Sequence, residues 1–231
     1  MKALGIIGGI GPESTIDYYR SLVAAYRERR PDDSYPPLII NSIDLTKLRG
    51  LVEAGDLAGV AEYLVTEIQR LQAAGAEFGL IAANTPHLVF DEVQRQTTLP
   101  LISIVQATCD AALELGMKKL GLLGTRFVMQ GSFYPLVFSK AALTLVAPDE
   151  AAQHFIHEKY LSELVKGVFL PETHDGLAAI VKQMKEREQI DGVILGGTEL
   201  PLILKERSID GVRLLDTTQI HVQAAIGEML K

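Results

Sequence analysis

Short polar side chains follow apolar runs of the sequence that have the length and composition of buried strands. Asn84 and Thr85 follow one run, Thr198 and Glu199 follow another, and Thr125 follows a third. At a strand end such side chains lie beside the backbone N–H groups of the next helix start, and together these groups hold a carboxylate. The pattern predicts a site for a small carboxylic acid. Helix capping alone would also account for Thr85 and Thr198.

A glycine-rich loop, Gly8-Gly9-Ile10-Gly11, follows the first apolar run. It matches the dinucleotide-binding fingerprint only in part, because Ser14 stands at the third glycine position and the acidic residue expected about 20 residues on is not obvious. Glycines also permit a tight turn at which the backbone approaches a small ligand. We therefore expect Gly9 and Ile10 to line a small-molecule site and not a nicotinamide or flavin site.

Two cations and one histidine are candidates for further roles. Arg49 and Lys166 could hold a second carboxylate, although a solvated surface charge is the plainer interpretation of each. His87 follows Asn84-Thr85-Pro86 and is a candidate general base near neutral pH. A hydrogen-bonded structural histidine is the alternative for His87.

Two other features offer less chemistry. Cys109 lies in a helical stretch far from any strand end, so we expect a buried apolar residue. His154 and Glu158 are four residues apart on one predicted helix. No third ligand is apparent beside them, and we expect no metal site.

The elements that position these residues alternate along the chain. Short runs of Val, Ile and Leu are typical of strands covered on both faces, and the helical patterns between them indicate an α/β fold with parallel sheets. The predicted strands are 3–7, 38–41, 79–82, 101–104, 120–123, 143–146, 193–195 and 213–215, and the predicted helices are 12–30, 57–74, 150–166, 177–188 and 218–230.

The motifs recur in the two halves of the chain, about 115 positions apart, which predicts two related lobes. We predict a first α/β lobe from residues 1–99 plus about 209–231, and a second from 100–208. Ligands of open α/β sheets bind beyond the carboxyl ends of the strands. The predicted site is therefore a cleft between the lobes.

The composition excludes several partner classes. The 231 residues include 22 Lys and Arg against 29 Asp and Glu, a net charge of -7. This balance disfavours nucleic acid and anionic membranes as partners and leaves a small molecule. A single cysteine permits no intrachain disulfide and suits the cytoplasm. No apolar run reaches the roughly 18 residues of a membrane span.

Four motifs together resemble those of a known family, the aspartate/glutamate racemases, which are amino-acid racemases that work without pyridoxal phosphate. Their order and spacing match over essentially the whole chain. The resemblance implies two Rossmann-like lobes related by pseudo-twofold symmetry, an active site between them, no cofactor, and a homodimer. The motifs are Gly8-Gly9-Ile10-Gly11-Pro12-Glu13-Ser14-Thr15, Asn84-Thr85-Pro86-His87, Leu123-Gly124-Thr125-Arg126 and Gly197-Thr198-Glu199.

The resemblance also implies roles for single residues. One group falls on family positions that hold the α-carboxylate and amino group of the substrate: Asn84, Thr85, Thr125 and Thr198. Arg49 and Lys166 fall near positions that, in aspartate-preferring members, bind the side-chain carboxylate.

The sequence departs from the family at the catalytic positions. Racemisation in the family uses two cysteines, one to remove the α-proton and one to return a proton on the opposite face. Ala83 and Gly197 stand at those positions here, and neither can take or give a proton. Cys109 lies outside both motifs. We therefore predict that two-thiol racemisation is lost.

Three explanations are open at this point. The two positions could have been changed to inactivate an enzyme. The protein could run a different isomerase or lyase reaction with Glu199, His87 or Asp44. It could also bind an amino acid or dicarboxylate without turning it over.

Overall fold

Two sheets contain all of the strands predicted from the apolar runs. The computed structural model describes residues 1–30 and 32–231. The first sheet is parallel throughout and has the order β2-β1-β3-β4. Its strands are β1 (Leu4–Gly8), β2 (Leu38–Ser42), β3 (Phe78–Ile81) and β4 (Leu101–Ile102).

The second sheet repeats this arrangement and adds one strand. Its order is β6-β5-β7-β9-β8, and only β8 is antiparallel to its neighbour. Its strands are β5 (Lys119–Gly124), β6 (Thr144–Val146), β7 (Gly192–Gly196), β8 (Ser208–Ile209) and β9 (Val212–Asp216). Without β8 the two strand orders correspond, so the internal repeat and the α/β fold class are confirmed.

The strand β8 was not predicted, because two residues give no periodicity. Asp210 and Gly211 join it to β9 and have φ angles of 50° and 81°. Two successive positive φ angles form the two-residue turn that best fits a twisted hairpin, and Asp-Gly is a preferred sequence for it. The Asp-Gly pair was therefore the available signal.

Helices separate the strands, and several begin at a recognisable cap. Pro12 begins α1, where its missing N–H costs nothing. Asp44, Asp56 and Asp149 accept backbone N–H bonds at the starts of α2, α3 and α8. The α-helices are α1 (Pro12–Arg29), α2 (Leu45–Glu53), α3 (Leu57–Ala73), α4 (Phe90–Gln96), α5 (Ile104–Glu114), α6 (Arg126–Gln130), α7 (Phe133–Lys140), α8 (Glu150–Ser162), α9 (Pro171–Glu188), α10 (Leu200–Ile203) and α11 (Thr217–Met229).

Two predicted helices have different bounds in the structure. The helix predicted over 150–166 is α8, which ends at Ser162, and a short 3-10 helix, Leu164–Lys166, follows it. The helix predicted over 177–188 begins earlier, at Pro171. A second 3-10 helix, Thr85–Val89, follows β3.

The chain divides into two compact units, Met1–Ile104 with His221–Lys231, and Val105–Ile220. Both boundaries differ from the predicted division. Residues 101–102 form β4 and pair with β3, so they belong to the first unit. Residues 212–216 form β9 and pair with β7, so they belong to the second. Sheet pairing, which short apolar runs do not encode, decides both boundaries.

Each unit has its own apolar core. In the first unit, the C-terminal part of α11 packs with β1, β3 and α1, as the sequence predicted for its last helix. In the second, α8 and α9 pack on β7 and β9. Within the described residues, no helix combines the length and apolarity needed to cross a membrane.

Candidate functional site

Ala83, Asn84 and Thr85 follow the end of β3. Ala83 and Asn84 are buried, and Thr85 is half-buried as the first residue of the 3-10 helix. The backbone carbonyl of Asn84 accepts the N–H of His87 at 3.0 Å. This tight turn holds the amide and hydroxyl side chains at the carboxyl end of the sheet.

The contacts of His87 fit the alternative that the sequence left open, a hydrogen-bonded structural histidine. Its Nδ1 is 3.0 Å from the Ala83 carbonyl, and its Nε2 is 3.2 Å from the Ile104 N–H. A carbonyl only accepts and an N–H only donates, so Nδ1 carries the proton and Nε2 accepts. Burial and the neighbouring His221 lower the pKa of His87 to about 3. Both ring nitrogens are thus engaged, and His87 stays neutral.

A second buried histidine in the first unit was missed by the sequence analysis. Nε2 of His221 donates to the Ile102 carbonyl at 2.9 Å, and Nδ1 accepts the Tyr18 hydroxyl at 2.9 Å. Burial lowers the pKa of His221 to about 4. The histidine therefore ties α11 to β4 and α1. No local pattern around His221 signals these distant partners.

The glycine loop serves close backbone packing. Gly9 has φ of 79°, and a Cβ there would lie 2.8 Å from the Ile43 nitrogen and nearer still to the Ile43 carbonyl. The Gly9 N–H donates to the Thr15 hydroxyl at 2.9 Å. The predicted tight turn is present, and the backbone that approaches it is that of Ile43. Ile10 is buried beside it.

The candidate cations lie on the surface. Arg49 on α2 has half of its side chain exposed and pairs with Glu53, Nε to Oε1, at 3.4 Å. Lys166 is exposed at the end of its 3-10 helix. Asp44 caps α2 by accepting the Thr46 N–H at 2.8 Å. The solvated-charge interpretation of Arg49 and Lys166 fits these positions.

The strand end of β7 holds a buried carboxylate between two hydroxyl groups. Oε2 of Glu199 accepts the hydroxyl of Tyr160 in a very short hydrogen bond, and that of Thr198 at 3.1 Å. Thr198 and Glu199 are almost fully buried, and Tyr160 keeps 7% of its surface exposed. A phenol on α8 is thus joined to a carboxylate at the β7 strand end.

Tyr160 also explains why position 197 is glycine. A Cβ on Gly197 would lie 2.8 Å from the Tyr160 hydroxyl oxygen, 2.9 Å from Cζ and closer still to Cε2. Any larger residue at 197 must displace the ring. The space that a side chain at 197 would need is filled by the phenol. Residues 160 and 197 are distant in sequence, so the motif alone could not reveal this contact.

The electrostatics of the pair favour a protonated phenol. Burial, followed by the charge of Glu199, raises the pKa of Tyr160 well above its ordinary value. A hydroxyl that points at a carboxylate is a charge-assisted donor. The arrangement can donate a hydrogen bond, or pass the phenol proton to the carboxylate as another proton arrives at the phenol oxygen.

Thr125 follows β5 and directly precedes α6. It is buried, and its carbonyl accepts the N–H groups of Val128 and Met129 at 2.9 and 3.0 Å. Nδ1 of His157, one turn before Tyr160 on α8, accepts the next N–H, that of Arg126, at 3.2 Å. The helix α8 therefore brings both His157 and Tyr160 to the strand ends of the second unit, which sequence reasoning did not foresee.

Cys109 is buried on α5, as predicted, and burial raises the pKa of its thiol. The side chains of His154 and Glu158 are exposed and lie 3.7 Å apart, Nε2 to Oε2. Within residues 1–30 and 32–231, no three His, Cys, Asp or Glu side chains are grouped so that they could hold a metal ion.

The chain matches a family of known proteins over most of its length. Residues 7–225 fit the model of the Asp/Glu/hydantoin racemase family. The chain belongs to this family. Its two units, each with a parallel-dominated sheet flanked by helices, agree with the two-lobe architecture of racemase structures.

Individual relatives of this racemase-family chain agree with the family match. A solved structure of an aspartate racemase homologue from Pyrococcus horikoshii OT3 has a TM-score of 0.85 and 35% identity, with 100% of both chains covered. The broad specificity amino-acid racemase of Bacillus subtilis strain 168 is 23% identical over 210 residues, or 87% of each chain. A glutamate racemase of Shewanella denitrificans is 28% identical over 206 residues, covering 85% of this chain and 69% of that protein.

Proposed function

We propose that this racemase-family protein binds a small amino-acid-like carboxylate and does not racemise it with two thiols. The proposed loss of two-thiol racemisation rests on the packing of Tyr160 against Gly197. The position that the resemblance assigns to one catalytic cysteine is closed to a side chain. The neighbouring structure is adapted to glycine, which argues against a recent change made to inactivate an enzyme.

The chemistry of the remaining groups supports the loss. Racemisation by two thiols needs a group on each side of the α-carbon that can hold a proton near neutral pH. Ala83 offers a methyl group and Gly197 a hydrogen. The one cysteine, Cys109, is buried on α5, and burial raises the pKa of its thiol. A raised pKa keeps the thiol protonated and unreactive.

The binding half of the proposal rests on the polar groups at the strand ends. Buried or half-buried hydroxyl and amide groups follow β3, β5 and β7, where open α/β sheets bind ligands. We assign lining of the site to Gly9 and Ile10. We assign recognition of the carboxylate and amino group to the side chains of Asn84, Thr85, Thr125 and Thr198. Arg49 and Lys166 would meet a second carboxylate from the surface. The racemase names of the relatives favour an amino acid as the ligand.

Calorimetry with L- and D-aspartate and L- and D-glutamate tests the binding. We expect saturable binding of at least one of them. Thr198→Ala should raise its Kd about 10-fold or more, because a hydrogen bond to a charged group contributes about 1.5–3 kcal/mol. Thr66→Ala, on the exposed face of α3, is the matched control and should bind like the wild type.

Chiral chromatography of the same mixtures tests the lost racemisation. We expect no conversion of either enantiomer of aspartate or glutamate into the other. Steady formation of the opposite enantiomer by the wild-type protein would contradict the proposal, since it requires proton-transfer groups on both faces of the α-carbon.

We also propose a homodimer, as the family resemblance implies. Sedimentation equilibrium should then give twice the chain mass of 25.2 kDa. A mass of one chain at micromolar concentration would contradict this.

A further inference from the structure

The hydroxyl of Tyr160 lies close to the position at which the family resemblance places a catalytic thiol. The Tyr160 hydroxyl oxygen is 2.8 Å from the place of a Cβ on Gly197, so it lies within the reach of a short side chain at that position. Behind it, Glu199 Oε2 accepts the Tyr160 hydroxyl and also that of Thr198. The phenol comes from α8 and the carboxylate from the β7 strand end, so two elements build the pair.

We propose that Tyr160 is a catalytic proton-transfer residue for the α-proton of a bound amino acid, with Glu199 as the proton acceptor behind it. The inference rests on the proposed function, because it needs an amino acid at these strand ends. It adds the class of reaction, which is reversible removal of the α-proton. Neither residue belongs to a thiol mechanism.

The proton balance of the step is simple. The Cα–H bond breaks, and its proton moves to the Tyr160 hydroxyl oxygen as the proton of that hydroxyl moves to Glu199 Oε2. The electron pair stays on the substrate, shared with its carboxylate group. The reverse step returns a proton to Cα and restores the hydroxyl and the carboxylate.

Burial in the pair fits this order of transfer. Glu199 is 1% exposed and Tyr160 is 7% exposed, so the tyrosine is the less buried member of the pair. The phenol stays protonated at rest, because burial and Glu199 raise its pKa. The Glu199 carboxylate therefore acts as the base, and the Tyr160 phenol passes the proton to it. A positioned acid–base group of this kind contributes about 10²–10⁴-fold in rate.

The pair acts on one face only. A proton taken by Tyr160 is therefore returned by Tyr160, to the same face of the α-carbon. The expected reaction is exchange of the α-proton with retention of configuration, in one enantiomer only.

Proton NMR in D2O tests the relay with the full-length protein and each enantiomer of aspartate and glutamate. Hydroxyl and carboxyl protons exchange with solvent, so deuterium should replace the α-proton of one enantiomer, and the opposite enantiomer should not appear. Tyr160→Phe keeps the ring on Gly197 and removes the oxygen, and should slow exchange at least 100-fold. Glu199→Gln should slow it to a similar degree. Tyr134→Phe removes a hydroxyl from another buried tyrosine of the second unit and should exchange like the wild type.

Calorimetry on the same samples separates the two proposals. An amino acid that binds to the wild-type protein but keeps its α-proton overturns the relay and leaves the proposed binding intact. Unchanged exchange in Tyr160→Phe also overturns the relay. If none of the four amino acids binds at millimolar concentration, the proposed function fails and the relay fails with it. Tyr160→Phe should retain the wild-type Kd within about 3-fold, so that lost exchange reports lost chemistry.

Discussion

At the scale of single residues, Gly197 and Tyr160 form a complementary pair. The glycine leaves room for the ring, and the ring brings its hydroxyl to Glu199. The effect of a substitution at either position on stability should therefore depend on which residue stands at the other. This dependence is open to a double-mutant cycle.

Gly197→Ala should destabilise the protein by about 1–3 kcal/mol, because the new methyl group overlaps the Tyr160 ring. In a Tyr160→Ala background the same change should cost much less, since the ring is gone. Urea unfolding of the four proteins of the cycle measures the coupling. Gly50→Ala is the control: a Cβ on Gly50 meets no atom within 4 Å, and alanine favours α2. Equal costs of Gly197→Ala in both backgrounds would contradict the pairing.

Residue-scale prediction from the sequence had a clear limit. The strand-end positions of Asn84, Thr198 and Glu199 followed from the apolar runs, because local patterns decide where a strand ends. The engagement of His87 by Ala83 and Ile104 and the contact of Tyr160 with Gly197 did not, because each depends on residues brought together by tertiary packing.

At the scale of elements, the turn from β1 to α1 is held against the end of β2. Gly9 lies against the backbone of Ile43, and the Ile43 N–H donates to the Gly8 carbonyl at 2.9 Å. The close approach and the positive φ both require glycine.

Gly9→Ala should therefore cost more than Gly75→Ala. Both glycines have positive φ, 79° and 99°, but a Cβ on Gly75 meets no atom within 4 Å. The difference between the two variants isolates the clash with Ile43, which we expect to be about 1–3 kcal/mol. Thermal unfolding at one protein concentration measures both. Equal losses would show that only the backbone angle matters at Gly9.

The two buried histidines connect elements of the first unit and make its stability sensitive to acid. Their pKa values in the folded protein, about 3 for His87 and about 4 for His221, lie below the ordinary value of 6.5. Below pH 6.5 the unfolded chain takes up protons that the folded chain does not. The stabilisation is thus fully present above pH 6.5, and it is lost as the pH falls toward 4 and then 3.

We expect the free energy of unfolding to fall by about 1.4 kcal/mol per pH unit for each histidine between roughly pH 6 and pH 4.5. Urea unfolding across this range measures the slope. His221→Gln should reduce it by the contribution of one proton. His154→Gln, at an exposed histidine, should leave it unchanged. A slope that His221→Gln does not alter would contradict the neutral state assigned to His221.

At the scale of the whole molecule, the first unit is discontinuous in sequence. Val222, Ala225, Ile226 and Met229 of α11 are buried in the same core as Leu4 and Tyr18. The sequence analysis predicted this return of the last helix to the first lobe. The exact crossing points, near residues 104 and 220, followed only from strand pairing.

Ile226→Ala should destabilise the protein by about 2–5 kcal/mol, because it leaves a cavity where α11 meets β1 and β3. Leu136→Ala, at a residue that is 58% exposed, should change stability by no more than about 0.5 kcal/mol. Urea unfolding of both variants measures the contrast. A small effect of Ile226→Ala would mean that α11 is dispensable for the first core.

The late arrival of α11 has a consequence for synthesis on the ribosome. All strands of the second sheet have been synthesised once the ribosome has added residue 216. The core of the first unit is complete only when residue 229 has been added. Residues 1–104 therefore emerge with an unfinished apolar surface, while residues 105–220 can already close. Domains usually fold in the order in which they are translated. We expect the second unit to close before the first, which leaves the apolar segments of residues 1–104 open to chaperones for longer.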